Sequence, residues 1–323
     1  MSYTLIAGHE MDPRPGRHGY ISAMLKLMKE NPKIVHIDCD MMGCIDAKKL
    51  AEAFPKQTFN AGIAEQNAVG VAAGMAATGL IPFLHTQAAF ASKRCFDQVF
   101  LSAGYSGWPV HMVATDPGIA ATFNGASHMP FEDAALFLTI PGVVVMDSCD
   151  YAQTESLTQK AAAWTGLTYM RFLRKEVKRV YADGSEFEIG KGVVLREGED
   201  VTIISSGILL DEALRAEELL LGEKISARVI DMHTWKPLDE DLVLKSAGKT
   251  GCIVTAENHR ISCGLGSVVS NLLTKYCPVP LERIGVGERY GQVGSQDFLM
   301  EEYRLTAEDI AAAARKAIAR KNA

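Results

Sequence analysis

"FNAGIAEQNAVGVAAGMAATG", residues 59–79, decides the reading of this chain. One carboxylate, Glu65, stands at the mouth of a run of alanine, glycine and valine that carries no other charge. A carboxylate beside so much apolar surface is unfavourable unless a partner compensates for it. The stretch Ala68 to Leu84 is barely long enough for a membrane span, and Gly70, Gly74, Gly79 and Pro82 punctuate it. It reads instead as a buried helix over about 64–78, a turn at Gly79 and the strand "LIPFLHT".

Outward from this segment the pattern repeats. "KIVHIDCD", "WPVHMVAT", "GVVVMDS" and "LTYMRFL" read as short apolar strands. "GYISAMLKLMKENP", "DAKKLAEAFP", "SKRCFDQVFLSAGYSG", "FEDAALFLTI" and "DYAQTESLTQKAAAWT" read as helices between them. Such alternation implies a parallel sheet covered on both faces. The polar passage "YADGSEFEIGKG" is the best domain boundary, and after it the alternation restarts with "DVTIISSG". The chain ends in "TAEDIAAAARKAIARK", an amphipathic helix with a Thr-x-x-Asp start. The expected fold is α/β with two domains, 1–185 and 190–323, each a mostly parallel sheet flanked by helices. A length of 323 residues suits two domains.

Composition narrows the function. The chain is 48% hydrophobic and 22% charged, with a formal net charge of −6 and no basic cluster. No electrostatic nucleic-acid binder is expected from that balance. The N-terminus lacks the charged start and apolar core of a signal peptide. Seven scattered cysteines, none in a C-x-x-C pair, suggest reduced thiols in the cytoplasm rather than a disulfide frame or zinc site. "CGLGSVV" lacks the third glycine of a dinucleotide fingerprint, and "SSG" at Ser206 lacks the strained turn of a hydrolase. No loop offers the Gly-Asp-Gly and distal asparagine that would hold a diphosphate through a divalent metal, so no metal site is expected on this chain.

Open parallel sheets bind ligands at the carboxyl ends of their strands. In the first domain those ends carry Asp38 and Asp40, His85 and Thr86, Thr115 and Asp116, and Asp147, with Arg171 and Arg174 after the last strand. Polar residues also resume at strand ends for purely structural reasons.

The motifs "GIAEQNAVGVAAGMAATGLIPFLHT", "AAFASKRCFDQ" and "GASHMPFEDAALFLTIPG" follow one another here as they do in transketolases, and together resemble the pyrimidine-binding domain of that family. "IDMHTWKPLD", "IVTAENH", "GLGSVV" and "IGVGERYGQVG" are similar to its C-terminal domain. The resemblance covers nearly the whole chain and is closest to split transketolases, whose C-terminal half is a separate polypeptide. It implies thiamine diphosphate as cofactor, with Mg²⁺ held by a partner chain that carries the diphosphate-binding domain. It also implies a heterotetramer, and no activity from this polypeptide alone.

By the same resemblance Glu65 is the activating acid, hydrogen-bonded to the aminopyrimidine ring nitrogen so that the cofactor's own amino group serves as base. Phe90 matches the aromatic that stacks on that ring, and Asp40 an acid near the cofactor. Gln87 stands where many transketolases have a second phenylalanine. Arg17 and Arg174 match phosphate-binding arginines, suited to charge-assisted paired hydrogen bonds. His128 matches a substrate-contacting histidine. Asn124 replaces an aspartate that reads a sugar hydroxyl, Asp116 stands where a histidine is common, and "DMMGCID" replaces a serine-rich turn. These departures imply retained thiamine chemistry with an altered sugar substrate. Two other readings stay open: a deoxyxylulose-phosphate synthase or 2-oxo acid dehydrogenase β subunit, and a non-catalytic partner.

Overall fold

The computed structural model describes residues 2–323. Seven strands form the first sheet, in the order Thr234–Lys236, Val144–Asp147, Thr168–Phe172, His111–Thr115, Ile81–Gln87, Ile34–Asp38 and Thr58–Asn60. All neighbours are parallel except the first pair. The inner strands are buried from end to end, as a sheet covered on both faces requires. On one face the helix Arg17–Glu30 packs on the helix Tyr151–Ala162, and a Cβ at Gly19 would meet the Tyr151 carbonyl oxygen at 2.3 Å. Only a glycine lets these two helices come so close.

The second sheet has the order Leu281–Val286, Ile253–Arg260, Val201–Ser205, Ala227–Asp231 and Val193–Arg196, with the last strand antiparallel. The helices Leu209–Gly222, Leu265–Tyr276 and Ala307–Lys321 flank it, the last begun by a capping box between Thr306 and Asp309. The α/β architecture with two mostly parallel sheets is therefore as expected.

Three departures from the sequence reading have physical causes. Thr234–Lys236 lies in the second half of the chain yet closes the edge of the first sheet, antiparallel to Val144–Asp147. A three-residue strand carries no periodicity of its own, so only tertiary pairing defines it. The helix at Glu65–Ala77 is buried on one face only: Ala68, Val69, Ala72 and Ala76 point inward, whereas Gln66, Asn67, Gly70, Val71 and Gly74 are exposed in the single chain. The helix expected over "SKRCFDQVFLSAGYSG" is broken. Ala88–Lys93 is α-helical, the chain turns at Cys95 (φ −130°), and Val99–Tyr105 is a π-helix. A Cβ at Gly104 would lie 2.7 Å from Ile140, which explains the glycine inside that last segment.

Among the described residues no helix is long and apolar enough to cross a membrane.

Candidate active site

Glu65 opens its helix at the carboxyl ends of the first sheet's strands and is only 4% exposed. Its Oε1 accepts a hydrogen bond from the Thr86 hydroxyl at 3.4 Å and lies 3.1 Å from Nη1 of Arg94. The Arg94 guanidinium in turn lies over the Phe90 ring, 3.6 Å from its centroid. On another side Phe90 meets the His128 ring edge-on, with centroids 5.1 Å apart, and the Ser127 hydroxyl fixes His128 Nδ1 at 2.7 Å. Glu65, Arg94, Phe90 and His128 thus form one continuous group. The break at Cys95 places Arg94 there, because the chain stops being helical directly after it. Burial together with the Glu65 charge pushes the Cys95 thiol up to about 12, and the same two causes raise the Cys39 thiol. Neither thiol is a nucleophile at neutral pH.

A second group lies at the ends of the adjoining strands. Asp116 pairs with Arg174 at 2.5 Å, and Nη1 of Arg17 donates to the Arg174 carbonyl at 3.0 Å. Burial raises the Asp116 carboxyl despite the positive charges of Arg174 and Lys175 beside it. Among the described residues, the Arg17 Nε is buried with no hydrogen-bond partner. Asp116 adopts φ +57° and Thr122 φ +40°, positive-φ conformations that cost non-glycine residues of order 1–3 kcal/mol and concentrate at functional sites.

A 3₁₀-helical segment, Gly118–Asn124, kinked at Thr122, joins the two groups and presents Asn124, exposed, at its end. The second domain holds this helix in place. The Asn258 side chain accepts from the Ile119 amide at 3.0 Å and donates to the Pro117 carbonyl at 2.9 Å. Gly118 has φ +55°, and a Cβ there would fall 2.1 Å from Asn258 Oδ1. We therefore expect Gly118→Ala to break this contact, lower the free energy of unfolding by about 1–3 kcal/mol and weaken substrate binding. Urea denaturation and a KM measurement on the same preparation check it.

The remaining expected residues are placed less centrally. Asp40 is exposed, with φ +62°, and exchanges hydrogen bonds with Asn60 across the neighbouring strand ends. Gln87 is buried where its strand passes into the helix Ala88–Lys93. Beneath the rim, Asp38 accepts from His85 Nδ1 at 2.8 Å, and His85 Nε2 meets Thr115 Oγ1 at 3.2 Å. Hydrogen bonds and charge from His36 and His85 outweigh burial and hold the Asp38 carboxyl below the usual range. Arg94 is the residue the sequence reading missed. It stands inside a quoted motif, but nothing in its spacing shows that it turns back onto Glu65.

The Glu65 group fits an aminopyrimidine. A buried carboxylate oxygen and an aromatic face converge, and a planar nitrogen fork already satisfies both at once. A cavity of about 350 Å³ lies beside them, lined by Ile63, Ala64, Gln66 and Asn67 with Glu65 and Arg94. Among the described residues no cluster of three metal-ligating side chains gathers.

The pyrimidine-binding domain of transketolase matches residues 15–179, and the C-terminal domain of transketolase matches residues 190–310. The chain is 44% identical, over 95% of both lengths, to the 6-deoxy-6-sulfo-D-fructose transketolase subunit SqwH of Clostridium sp. (strain MSTE9). It is 35% identical to a 1-deoxy-D-xylulose-5-phosphate synthase of Heliobacterium modesticaldum, over 92% of this chain and 46% of that one. A solved structure described as a split-gene transketolase, inactive β4 tetramer, superposes with a TM-score of 0.89 at 41% identity, covering 96% of this chain and all of that one. The chain belongs to the transketolase family, and among its members it is similar to subunits of split enzymes.

Proposed function

We propose that this chain is one subunit of a two-chain, cytoplasmic, thiamine diphosphate-dependent transketolase that moves a two-carbon ketol unit from a ketose with a terminal anion to an aldose. Residues 1–185 carry the pyrimidine site and residues 190–323 brace it. The observation that carries this reading is the convergence of a 4%-exposed Glu65 with the face of Phe90, already bridged by a planar cation. When bound, thiamine diphosphate supplies the carbon nucleophile that cleaves the ketose beside its carbonyl group.

Every other role falls to side chains of one chain or the other. Glu65 holds a proton at the aminopyrimidine ring nitrogen, Phe90 stacks on that ring, and Gln87 and Asp40 shape the remainder of the cofactor seat. Mg²⁺ and the diphosphate are held by the partner chain. Arg17 and Arg174 take the terminal anion of the sugar, while Asp116, Asn124 and His128 face its hydroxyl groups. The Asp116–Arg174 pair and the unpartnered Arg17 Nε support this, since both arginines are gathered at one place and one has a donor to spare. The similar Clostridium subunit is named for a ketose with a sulfo group at its end, so phosphate and sulfonate donors both belong in the assay. The solved relative, described as an inactive β4 tetramer, supports the need for a second kind of chain.

The similar deoxyxylulose-phosphate synthase keeps a pyruvate-using reading in play. The test combines this chain with its diphosphate-domain partner, thiamine diphosphate and Mg²⁺, and offers ketose phosphates, a 6-sulfo-ketose and pyruvate in parallel. Turnover of a ketose only when both chains are present is the expected result. Pyruvate turnover moves the chain to the decarboxylating branch. A tight, cofactor-loaded complex with no turnover on any donor makes it a non-catalytic partner.

A further inference from the structure

Arg94 satisfies both groups that the proposed cofactor ring needs. Its guanidinium is a planar nitrogen–carbon–nitrogen fork that lies 3.6 Å above the centroid of Phe90 and 3.1 Å from the Glu65 carboxylate. An aminopyrimidine edge has the same pattern, a flat face that stacks on an aromatic ring and a nitrogen that meets a carboxylate. A ring stacked on the Phe90 face that Arg94 covers and bonded to the same carboxylate oxygen would take the seat that Arg94 holds.

We propose that Arg94 is a place-holder: in the free chain it compensates the Glu65 charge and covers Phe90, and it must withdraw as the aminopyrimidine enters, so that it sets the affinity of the site for its cofactor. This rests on the thiamine diphosphate reading above. The side chain free to move is the arginine, 45% exposed, whereas that of Glu65 is 5% exposed and fixed by Thr86. Arg94 is also the residue at which the short helix Ala88–Lys93 ends, and it forms one wall of the cavity beside Glu65. Withdrawal therefore asks for a side-chain rotation and no backbone rearrangement.

The hold is weak enough to be displaced. Because the Arg94 side chain is 45% exposed, its ion pair with Glu65 and its cation–π contact with Phe90 each contribute a modest amount, a factor of a few in an equilibrium. Without a place-holder the free chain would leave a buried carboxylate uncompensated beside the alanine-rich helix, the unfavourable state that the sequence suggests from the outset.

The experiment measures thiamine diphosphate binding by titration calorimetry on the two-chain enzyme with Mg²⁺, for the wild type, Arg94→Met, Arg94→Lys and Glu65→Gln. Methionine keeps an apolar stem over Phe90 and removes the fork and charge. Arg94→Met is expected to bind the cofactor about three- to tenfold more tightly, with Arg94→Lys between it and the wild type. The advantage of Arg94→Met should shrink at high salt, because salt screens the pair that the wild type must break. A side chain that only supported the fold, or one that gripped the cofactor, would give weaker binding on replacement, and equal or weaker binding by Arg94→Met overturns the proposal. Absence of cofactor binding in the wild type, unchanged by Glu65→Gln, overturns the cofactor reading and this proposal with it. The two failures are distinct, since the second is visible before any arginine is replaced.

Discussion

Glu65→Gln is expected to lower ketose turnover in the two-chain enzyme by a factor of about 10²–10⁴ and to leave the chain folded. The activity falls because glutamine can donate to, or accept from, the ring nitrogen as a neutral amide but cannot carry the proton that a carboxylate shares. The fold survives because the substitution nearly conserves volume, and the amide oxygen can still accept from Thr86. Arg94, half-exposed, turns to water when its partner loses charge, so no buried cation is stranded. Glu65→Asp is the informative companion: it keeps the charge but withdraws it by one methylene, and should retain more activity than the amide variant. Steady-state turnover at saturating thiamine diphosphate, with cofactor occupancy measured separately, decides the matter. If Glu65→Gln stays within tenfold of the wild type at full occupancy, Glu65 is not the activating acid.

The legible part of this site was the part that local chemistry makes conspicuous. A single carboxylate opening an uncharged helix announces itself, and so do polar residues at the ends of apolar strands. Glu65, Phe90 and His128 prove to be neighbours, and Arg17, Asp116 and Arg174 form a second group. The sheets were legible because buried parallel strands read as unbroken apolar runs. What stayed hidden depends on contacts between distant residues. The edge strand Thr234–Lys236 exists only because it pairs with Val144–Asp147. Asn258 sits in a quoted motif, but its grip on Pro117 and Ile119 joins separate domains. The direction of Arg94 follows from the turn at Cys95, which a helical pattern across "SKRCFDQ" conceals.

Arg171 is the extreme case of such a hidden contact, and its replacement carries the largest expected cost in stability. The side chain is fully buried. Its guanidinium reaches Asp133 at 2.7 Å, Asp147 at 3.1 Å and the Asn258 carbonyl at 2.6 Å, and it lies 5.2 Å from the Trp235 ring centroid. Asp147 also accepts from Ser206 at 2.9 Å, and Asp133 from the Tyr169 hydroxyl at 2.6 Å. One arginine therefore ties the first sheet to the second domain. Arg171→Met should cost about 3–5 kcal/mol, because it leaves two carboxylates buried without a counter-ion. Arg171→Lys should cost less, though it cannot span three acceptors at once.

The pH dependence gives a sharper test. Burial already raises both carboxyls in the native protein, with Arg171 as the main opposing influence. Without it their folded-state values rise further above the unfolded ones, so the folded variant binds more protons than the unfolded chain does. Stability of the variant then falls as pH rises through the folded values and recovers on the acid side, so its deficit relative to the wild type is smaller at mildly acidic than at mildly alkaline pH. Urea unfolding of both proteins across that range measures the difference. A pH-independent deficit would mean that lost packing against Trp235, and not stranded charge, is what the arginine prevents. Activity should fall along with stability, because the same Asn258 whose carbonyl Arg171 holds also grips the 3₁₀ helix that presents Asn124. This buried ion cluster is thus one of the contacts through which the second domain reaches the proposed substrate side of the site, and loosening it should be felt there.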